Sequence, residues 1–317
     1  VRDRVLEAVR EAGALERSVV VHVDGLDRLD RQLLHERHLI SRDHAGLAPG
    51  ATVRHGAALV TDGATGVMIN EEDHLRLQVV KSGFAPAAAY ADLERYDREL
   101  GMRIAFAFHE EFGYLTSCPT NAGTGLRASV LIHLPGLVLT KEIAKVLQGL
   151  TQMGLTFRGL YGEGSEVVGN LFQLSNQTTL GKSEEELLDH LNRMVRQVVD
   201  YERQAREVLL RNAPTVIADK VWRAYGLLRH ARSLSFEETM NLLSGVRLGM
   251  GLNLIGDVSV YTLNKLLVFT QPAHVARRAE RALTDPDLAA IRADFVRRLF
   301  DEDARRGPRG PGTTEEA

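Results

Sequence analysis

The sequence is short of cysteine: Cys118 is the only one among 317 residues. An intrachain disulfide is therefore impossible, and a zinc site built from several thiolates is excluded. A reducing, cytoplasmic setting suits such a chain. An excess of either charge is also lacking. Against 39 Lys and Arg stand 42 Asp and Glu, interleaved to a net −3, so no global field draws the chain to nucleic acid or to a membrane surface. Chemistry driven by charge must be local. No run approaches the roughly 18 to 20 apolar residues that cross a bilayer, and the opening VRDRVLEAVREAG reads as amphipathic helix rather than signal peptide. The 11 histidines show no metal-type spacing, which argues against a metal-ligand cluster.

What is present is enough apolar residue, 44%, for one large domain and a smaller one. Between about residues 17 and 175, short strand patterns recur at Ser18–Val23, Ala58–Thr61, Gly66–Asn70, His74–Val80, Arg103–Phe108, Ala128–Leu134, Leu155–Gly159 and Asn170–Leu174. Helical patterns interrupt them. Asp62-Gly63 is a hairpin signal, and such local returns favour antiparallel neighbours. The expected fold class is α+β, a mainly antiparallel sheet flanked by helices. After Thr179 the texture becomes helical: Ser183 with Glu186 and Ser235 with Glu238 form capping boxes. Further helices are expected near Val216–Arg229, Ser259–Leu267 and Pro286–Phe300. The expected division is residues 1–205 as the sheet-containing domain, 206–305 as a helical domain and 306–317 as a disordered, Gly- and Pro-rich tail.

Three segments carry chemistry. The first, YLTSCPTNAGTGLRAS at residues 114–129, is a strand ending in Cys118, a turn of small residues, and Arg127 entering the next strand. Small residues admit a ligand close to the backbone, and a guanidinium fork suits phosphate oxygens. On composition alone, a tight loop around a buried structural cysteine is the favoured reading. The second, Asn70-Glu71-Glu72-Asp73-His74-Leu75-Arg76, is either a solvated strand end or a guanidinium grip. A guanidinium is always protonated, so its phosphorylation requires carboxylates that orient it and accept a proton. Arg76 would serve the phosphate side. The third, Arg158-Gly159-Leu160-Tyr161-Gly162-Glu163-Gly164-Ser165-Glu166, lacks the GxGxxG spacing of a dinucleotide fold. It reads as a glycine-hinged loop carrying Glu163, able to close over a substrate, or as a plain connection. His38 in ERHLIS is a weak signal.

Together these segments resemble the ATP:guanido phosphotransferases: CPTNAGTGLRAS is similar to the family's cysteine signature and NEEDHLR to its acidic strand end. The resemblance implies ATP and Mg2+ as cofactors. It makes Arg76, Arg127 and Arg158 phosphate-binding arginines, sets His38 against adenine, and lines the nucleotide site with the backbone of Arg127, Ala128, Ser129, Val130 and Leu131 and of Arg158, Gly159, Leu160, Tyr161, Gly162 and Glu163. Glu72, Asp73 and Glu163 then hold the guanidinium, with Cys118 beside it. The helical final third, and Leu131 where metabolite kinases usually carry histidine, resemble the bacterial protein-arginine kinases of the McsB type. That implies protein substrates with accessible arginine, proteolysis by a Clp-type protease in the stress response, a partner activator and a homodimer. The alternatives are a kinase of free arginine or another small guanidino compound, and a non-catalytic binder of arginine or phosphoarginine proteins.

Two departures stand against the family pattern. Its S-S-R-x-R-x-x-R-N strand, which supplies two further phosphate-binding arginines, has no counterpart in these residues. The expectation is that upstream sequence supplies it and that the chain alone has little activity. Where the bacterial enzymes carry Arg-Asp-x-x-Arg-Ala, said to bind phosphoarginine, residues 286–291 read Pro-Asp-Leu-Ala-Ala-Ile, keeping the acid and neither arginine.

Overall fold

The computed structural model describes residues 1–12, 18–160, 167–279 and 284–306, the side chains of 304 and 306 excepted. In chain order the elements are α1 (Arg2–Ala12), β1 (Val19–His22), α2 (Arg28–Glu36), β2 (Ala58–Thr61), β3 (Thr65–Ile69), β4 (Leu75–Val79) and α3 (Pro86–Gly101). There follow β5 (Phe108–His109), β6 (Gly113–Tyr114), β7 (Ser129–His133), α4 (Pro135–Leu139), α5 (Ile143–Gln152), β8 (Leu155–Arg158) and β9 (Leu171–Asn176). The remainder is helical: α6 (Glu184–Asn212), α7 (Pro214–His230), α8 (Phe236–Gly251), α9 (Val260–Phe269), α10 (Pro272–Arg277) and α11 (Asp285–Arg306). Two compact units result. One comprises Val1–Val130, Gly149–Phe157 and Gln173–Arg196, the other Leu131–Gln148, Arg158–Phe172 and Gln197–Ala317.

The first unit is built on a four-stranded antiparallel sheet in the order β1-β2-β3-β4. Period-two alternation sends Ala58, Val60, Val67 and Ile69 to one face, where Val5 and Val9 of α1 and Tyr96 and Leu100 of α3 cover them. Leu59 and Met68 point to the other face, against Val23, Ile40 and Ala45. With both faces buried, β2 and β3 are apolar throughout their central positions. The Asp62-Gly63 turn forms as its residues require: Asp62 Oδ1 accepts from the N–H groups of Ala64 and Thr65 at 2.9 and 2.7 Å, and Gly63 takes φ +97°. Two further sheets stand apart from this one, the β5-β6 hairpin and a three-stranded sheet ordered β7-β9-β8.

Two expected strands are corrected: the strand expected to end in Cys118 ends at Tyr114, and the second is Arg103–Phe108. Of Arg103–Phe108 only Phe108 is in a strand. The N–H groups of Arg103 and Ile104 donate to the Leu100 carbonyl, and the Arg103 guanidinium donates to the carbonyls of Glu99 and Glu11. This stretch therefore closes the C-terminus of α3, satisfying carbonyls that a helix end leaves open.

In the second unit α7 packs on α8 around Ile217, Val221, Leu228, Met240, Leu243 and Val246. Glycines let the two helices approach closely: a Cβ on Gly249 would lie 2.3 Å from Val221 Cγ1, and one on Gly245 would lie 2.9 Å from Ala224 Cβ. Of the two expected capping boxes the first is complete and the second shows its serine half. Ser183 and Glu186 exchange both bonds at the start of α6, and Ser235 accepts from Glu238 N at 3.1 Å at the start of α8. Asp287 closes a third start, accepting from Thr284 N and Oγ1 ahead of α11. The expected disordered tail lies almost entirely outside the described residues.

Candidate active site

Strand β3 ends because Asn70 turns into the left-handed region, φ +58°, where its amide Nδ2 donates to the Gly56 carbonyl at 3.2 Å. Its N–H donates to the His74 carbonyl at 3.0 Å, closing a tight connection to β4 that carries all three acids. Their fates differ. Glu71 is buried, and its carboxylate accepts from the Ser41 hydroxyl, from Arg76 Nη1 at 3.2 Å and from the N–H of Glu72 at 2.6 Å. Burial opposes its charge, yet Arg76, Ser41 and the Glu72 N–H together hold it below the ordinary carboxylate value. Ser41 is itself fixed, accepting from His44 N at 3.0 Å.

Glu72 is exposed, with its carbonyl accepting from Arg54 Nη1 at 3.0 Å and its carboxylate from Asn121 Nδ2 at 3.4 Å. Asp73 is half-buried and accepts from the backbone N–H of Ser117 at 2.6 Å. These two bonds bring together the two segments singled out in the sequence, because Ser117 and Asn121 flank Cys118.

The cysteine loop is held from several sides. Half-buried Cys118 lies with Sγ 2.9 Å from Thr120 Oγ1, and its carbonyl accepts from Thr116 Oγ1 at 2.6 Å and Asn121 N at 2.9 Å. Buried Thr179 sits under the turn, with its hydroxyl 2.6 Å from the Ala122 carbonyl and 3.1 Å from that of Thr120. The Thr179 carbonyl in turn accepts from Thr124 N at 3.0 Å. Gly123 is required there: φ is +103°, and a Cβ would come within 2.4 Å of the Thr179 oxygen. Beyond the turn, buried Asn176 accepts from Ala128 N at 2.8 Å and donates to the Leu126 carbonyl at 3.0 Å. Arg127, between them, is exposed and donates to Ser175 Oγ at 3.3 Å, while Ser129 Oγ accepts from Gln173 at 2.9 Å.

His38 follows α2 in the left-handed region, φ +57°, and its carbonyl accepts from Gln78 Nε2 at 2.6 Å. Burial, aided by His35, lowers its pKa to about 4, so the ring is neutral at physiological pH. Arg76 stands on β4 opposite Met68. The first unit thus gathers Glu72, Asp73, Cys118 and Arg76 around the β3–β4 connection and the cysteine loop, with Arg127, Ala128, Ser129 and Val130 leading out of that loop.

Leu131, Arg158, Gly159 and Leu160 belong to the second unit. Leu131 is exposed, Arg158 ends β8, and the Leu160 side chain is buried in the helical core beside Leu171. Tyr161, Gly162 and Glu163 lie outside the described residues. Sequence reasoning missed Glu71, Ser41, Asn121, Asn176 and Thr179, each of which acts across 30 or more residues. Glu71 and Asn121 lie inside the acidic and cysteine segments and Ser41 ends the segment around His38, but no local signal marks Asn176 or Thr179.

The sequence pattern described as ATP:guanido phosphotransferase, C-terminal catalytic domain, matches residues 1–205, and that described as protein-arginine kinase McsB C-terminal domain matches residues 214–309. A protein-arginine kinase of Halothermothrix orenii is 42% identical over 298 residues, 94% of this chain and 84% of the relative. One of Symbiobacterium thermophilum is 48% identical over 269 residues, 85% and 75% of the two chains. Among solved structures, the duplicated taurocyamine kinase of Schistosoma mansoni with transition-state analogue components aligns with TM-score 0.53 and 27% identity. That alignment covers 70% of this chain and 34% of the other. Lombricine kinase shares the fold with TM-score 0.52 and 24% identity, over 64% and 60% of the respective chains. The expected α+β fold is the one these kinases have.

Proposed function

Because this chain belongs to the ATP:guanido phosphotransferase family, and is therefore a transferase, we propose that it moves the γ-phosphoryl group of ATP onto an arginine guanidinium within a protein. The observation that carries this reading is the junction of the acidic turn with the cysteine loop, through Asp73 to Ser117 and Glu72 to Asn121. Two carboxylates held at one end of a loop that continues into Arg127 can grip a cation on one side and meet phosphate on the other. The protein substrate is supported by relatives bearing the name protein-arginine kinase and by the match of the helical region to their C-terminal domain.

In the reaction, Glu72 and Asp73 hold the planar guanidinium by charge-assisted bonds and align one nitrogen with the γ-phosphorus. A carboxylate accepts the proton that this nitrogen loses as the N–P bond forms and the bond to the ADP oxygen breaks. Glu163, on the resemblance above, is the third carboxylate. Arg76 and Arg127 neutralise phosphate oxygens, a role the resemblance above also gives to Arg158, and the buried Glu71 keeps Arg76 in place. Among the described residues no group of three or more His, Cys, Asp and Glu is arranged to hold a metal ion. Mg2+ instead fits as an ion brought by the nucleotide, since it binds phosphate oxygens and water with few protein carboxylates and neutralises the triphosphate.

The same reading places the protein in the cytoplasm, as a homodimer under an activator, marking proteins for a Clp-type protease during stress. No described helix is long and apolar enough to cross a membrane. The test is incubation with ATP and either unfolded casein or free arginine, followed by assay of acid-labile phosphate on each. Phosphate on casein in clear excess supports a protein-arginine kinase. Equal or greater turnover on free arginine assigns the chain to the small guanidino compounds.

A further inference from the structure

The β5–β6 hairpin runs straight into the site and presents apolar side chains to solvent. Phe108 is 60% exposed, Phe112 46% and Leu115 49%. Phe108 meets Tyr114 edge-on at 5.4 Å, and Phe112 stacks on His109 at 4.9 Å. A hairpin of two paired residues per strand is marginal by itself, yet this one is anchored. Tyr114 and Gly123 exchange backbone bonds at 2.8 and 3.2 Å, and Leu115 N donates to the Ala107 carbonyl at 2.9 Å. Glu110 and Glu111, both exposed, occupy its turn. The result is a fixed apolar surface with an acidic tip, of the kind that marks an interaction site.

Its position limits what it can bind. Leu115 lies two residues before Ser117, the partner of Asp73, hence within about 7 Å along the chain, and Phe112 lies within about 17 Å. An extended chain whose arginine reaches Glu72 and Asp73 therefore carries residues only about two to five positions away over this hairpin. Folded proteins bury their apolar side chains next to such an arginine, whereas unfolded ones offer them. Resting on the function proposed above, we infer that the β5–β6 hairpin is the docking surface for the substrate polypeptide, an unfolded segment with apolar residues and additional basic residues flanking its arginine. Phe108, Phe112 and Leu115 take the apolar side chains, and Glu110 and Glu111 attract the basic ones.

The experiment measures binding of fluorescently labelled β-casein to the chain by anisotropy, without ATP, for the wild type, Phe108→Ser/Phe112→Ser and Glu110→Gln/Glu111→Gln. The phenylalanine variant should bind about tenfold more weakly, as truncation of two aromatic anchors implies. The glutamate variant should lose about threefold together with the salt dependence of binding. Both variants should keep the wild-type melting temperature and, in an upstream-extended form, turnover on N-acetylarginine amide. Casein binding unchanged in the phenylalanine variant overturns the inference, as does failure of the wild type to bind casein. A change of oligomeric state by light scattering with unchanged casein affinity also overturns it, and assigns the hairpin to self-association. Phosphoarginine formation on casein by the wild type is scored separately and judges the function itself.

Discussion

The backbone N–H of Ser117 donates to the Asp73 carboxylate at 2.6 Å, joining segments 44 residues apart in sequence. That bond, with Asn121 on Glu72, turns two separate sequence signals into one site. It also separates the roles of three adjacent acids: Glu71 turns inward to Ser41 and Arg76, while Glu72 and Asp73 are left at the cysteine loop.

Glu71→Gln should lower stability by about 1 to 3 kcal/mol, because Arg76 loses its charged partner and the Ser41 and Glu72 donors lose a carboxylate. Arg76 is 45% exposed, which screens the pair and keeps the loss at the lower end. Ser41→Ala should cost about 1 kcal/mol. Thermal melting reads both. An accompanying rise in KM for ATP in Glu71→Gln would show that Arg76 had lost its orientation.

Gly123→Ala should be more damaging than its single methyl suggests. The added Cβ meets the Thr179 carbonyl at 2.4 Å with φ at +103°, so either the cysteine loop or the chain after β9 must move. A loss on the order of 2 kcal/mol or more is expected, together with protection of Cys118 from alkylation that differs from the wild type. Urea denaturation checks the first effect and timed labelling with iodoacetamide the second.

Stability should fall as pH drops below about 6.5. His133 is half-buried, near Arg247 and Arg206, and bonded to Ser244 at 2.8 Å; desolvation of the ring and those cations lower its pKa to about 3. His38 is lowered to about 4. Unfolding raises both to near 6.5, so the unfolded state binds more protons and each ring contributes stability that is complete above that pH. The contribution is lost progressively toward the folded values, at a slope approaching about 1.4 kcal/mol per pH unit for each ring. His133→Asn, which keeps a hydrogen-bonding group for Ser244 without titrating, should flatten the decline between pH 6.5 and 5 in melting experiments.

Much of this architecture is legible in the sequence because its causes are local. Asp62-Gly63 fixes a turn with its own side chain, Ser183 and Glu186 cap a helix three residues apart, and the unbroken apolar runs Ala58–Val60 and Val67–Ile69 mark strands buried on both faces. The Arg103–Phe108 pattern misleads because its anchoring partners, Glu99 and Glu11, belong to helices rather than to a neighbouring strand. Likewise, nothing within NEEDHLR tells which acid turns inward. Ser41, 30 residues earlier, decides it. Thr179 and Asn176 escape notice for the same reason, since a threonine and an asparagine acquire their importance only from the backbone groups brought to them.

The most direct test of the account is phosphoryl transfer to unfolded casein by Glu72→Gln in an upstream-extended form of the chain, measured beside its affinity for ATP. Gln keeps the shape of the side chain and removes the charge that grips the guanidinium and the base that takes its proton. Transfer should fall by about 10² or more, the usual range for a positioned acid or base, while nucleotide affinity stays within about threefold, since uniform binding to ATP is left intact. Near wild-type transfer by this variant would contradict the role given to the carboxylate.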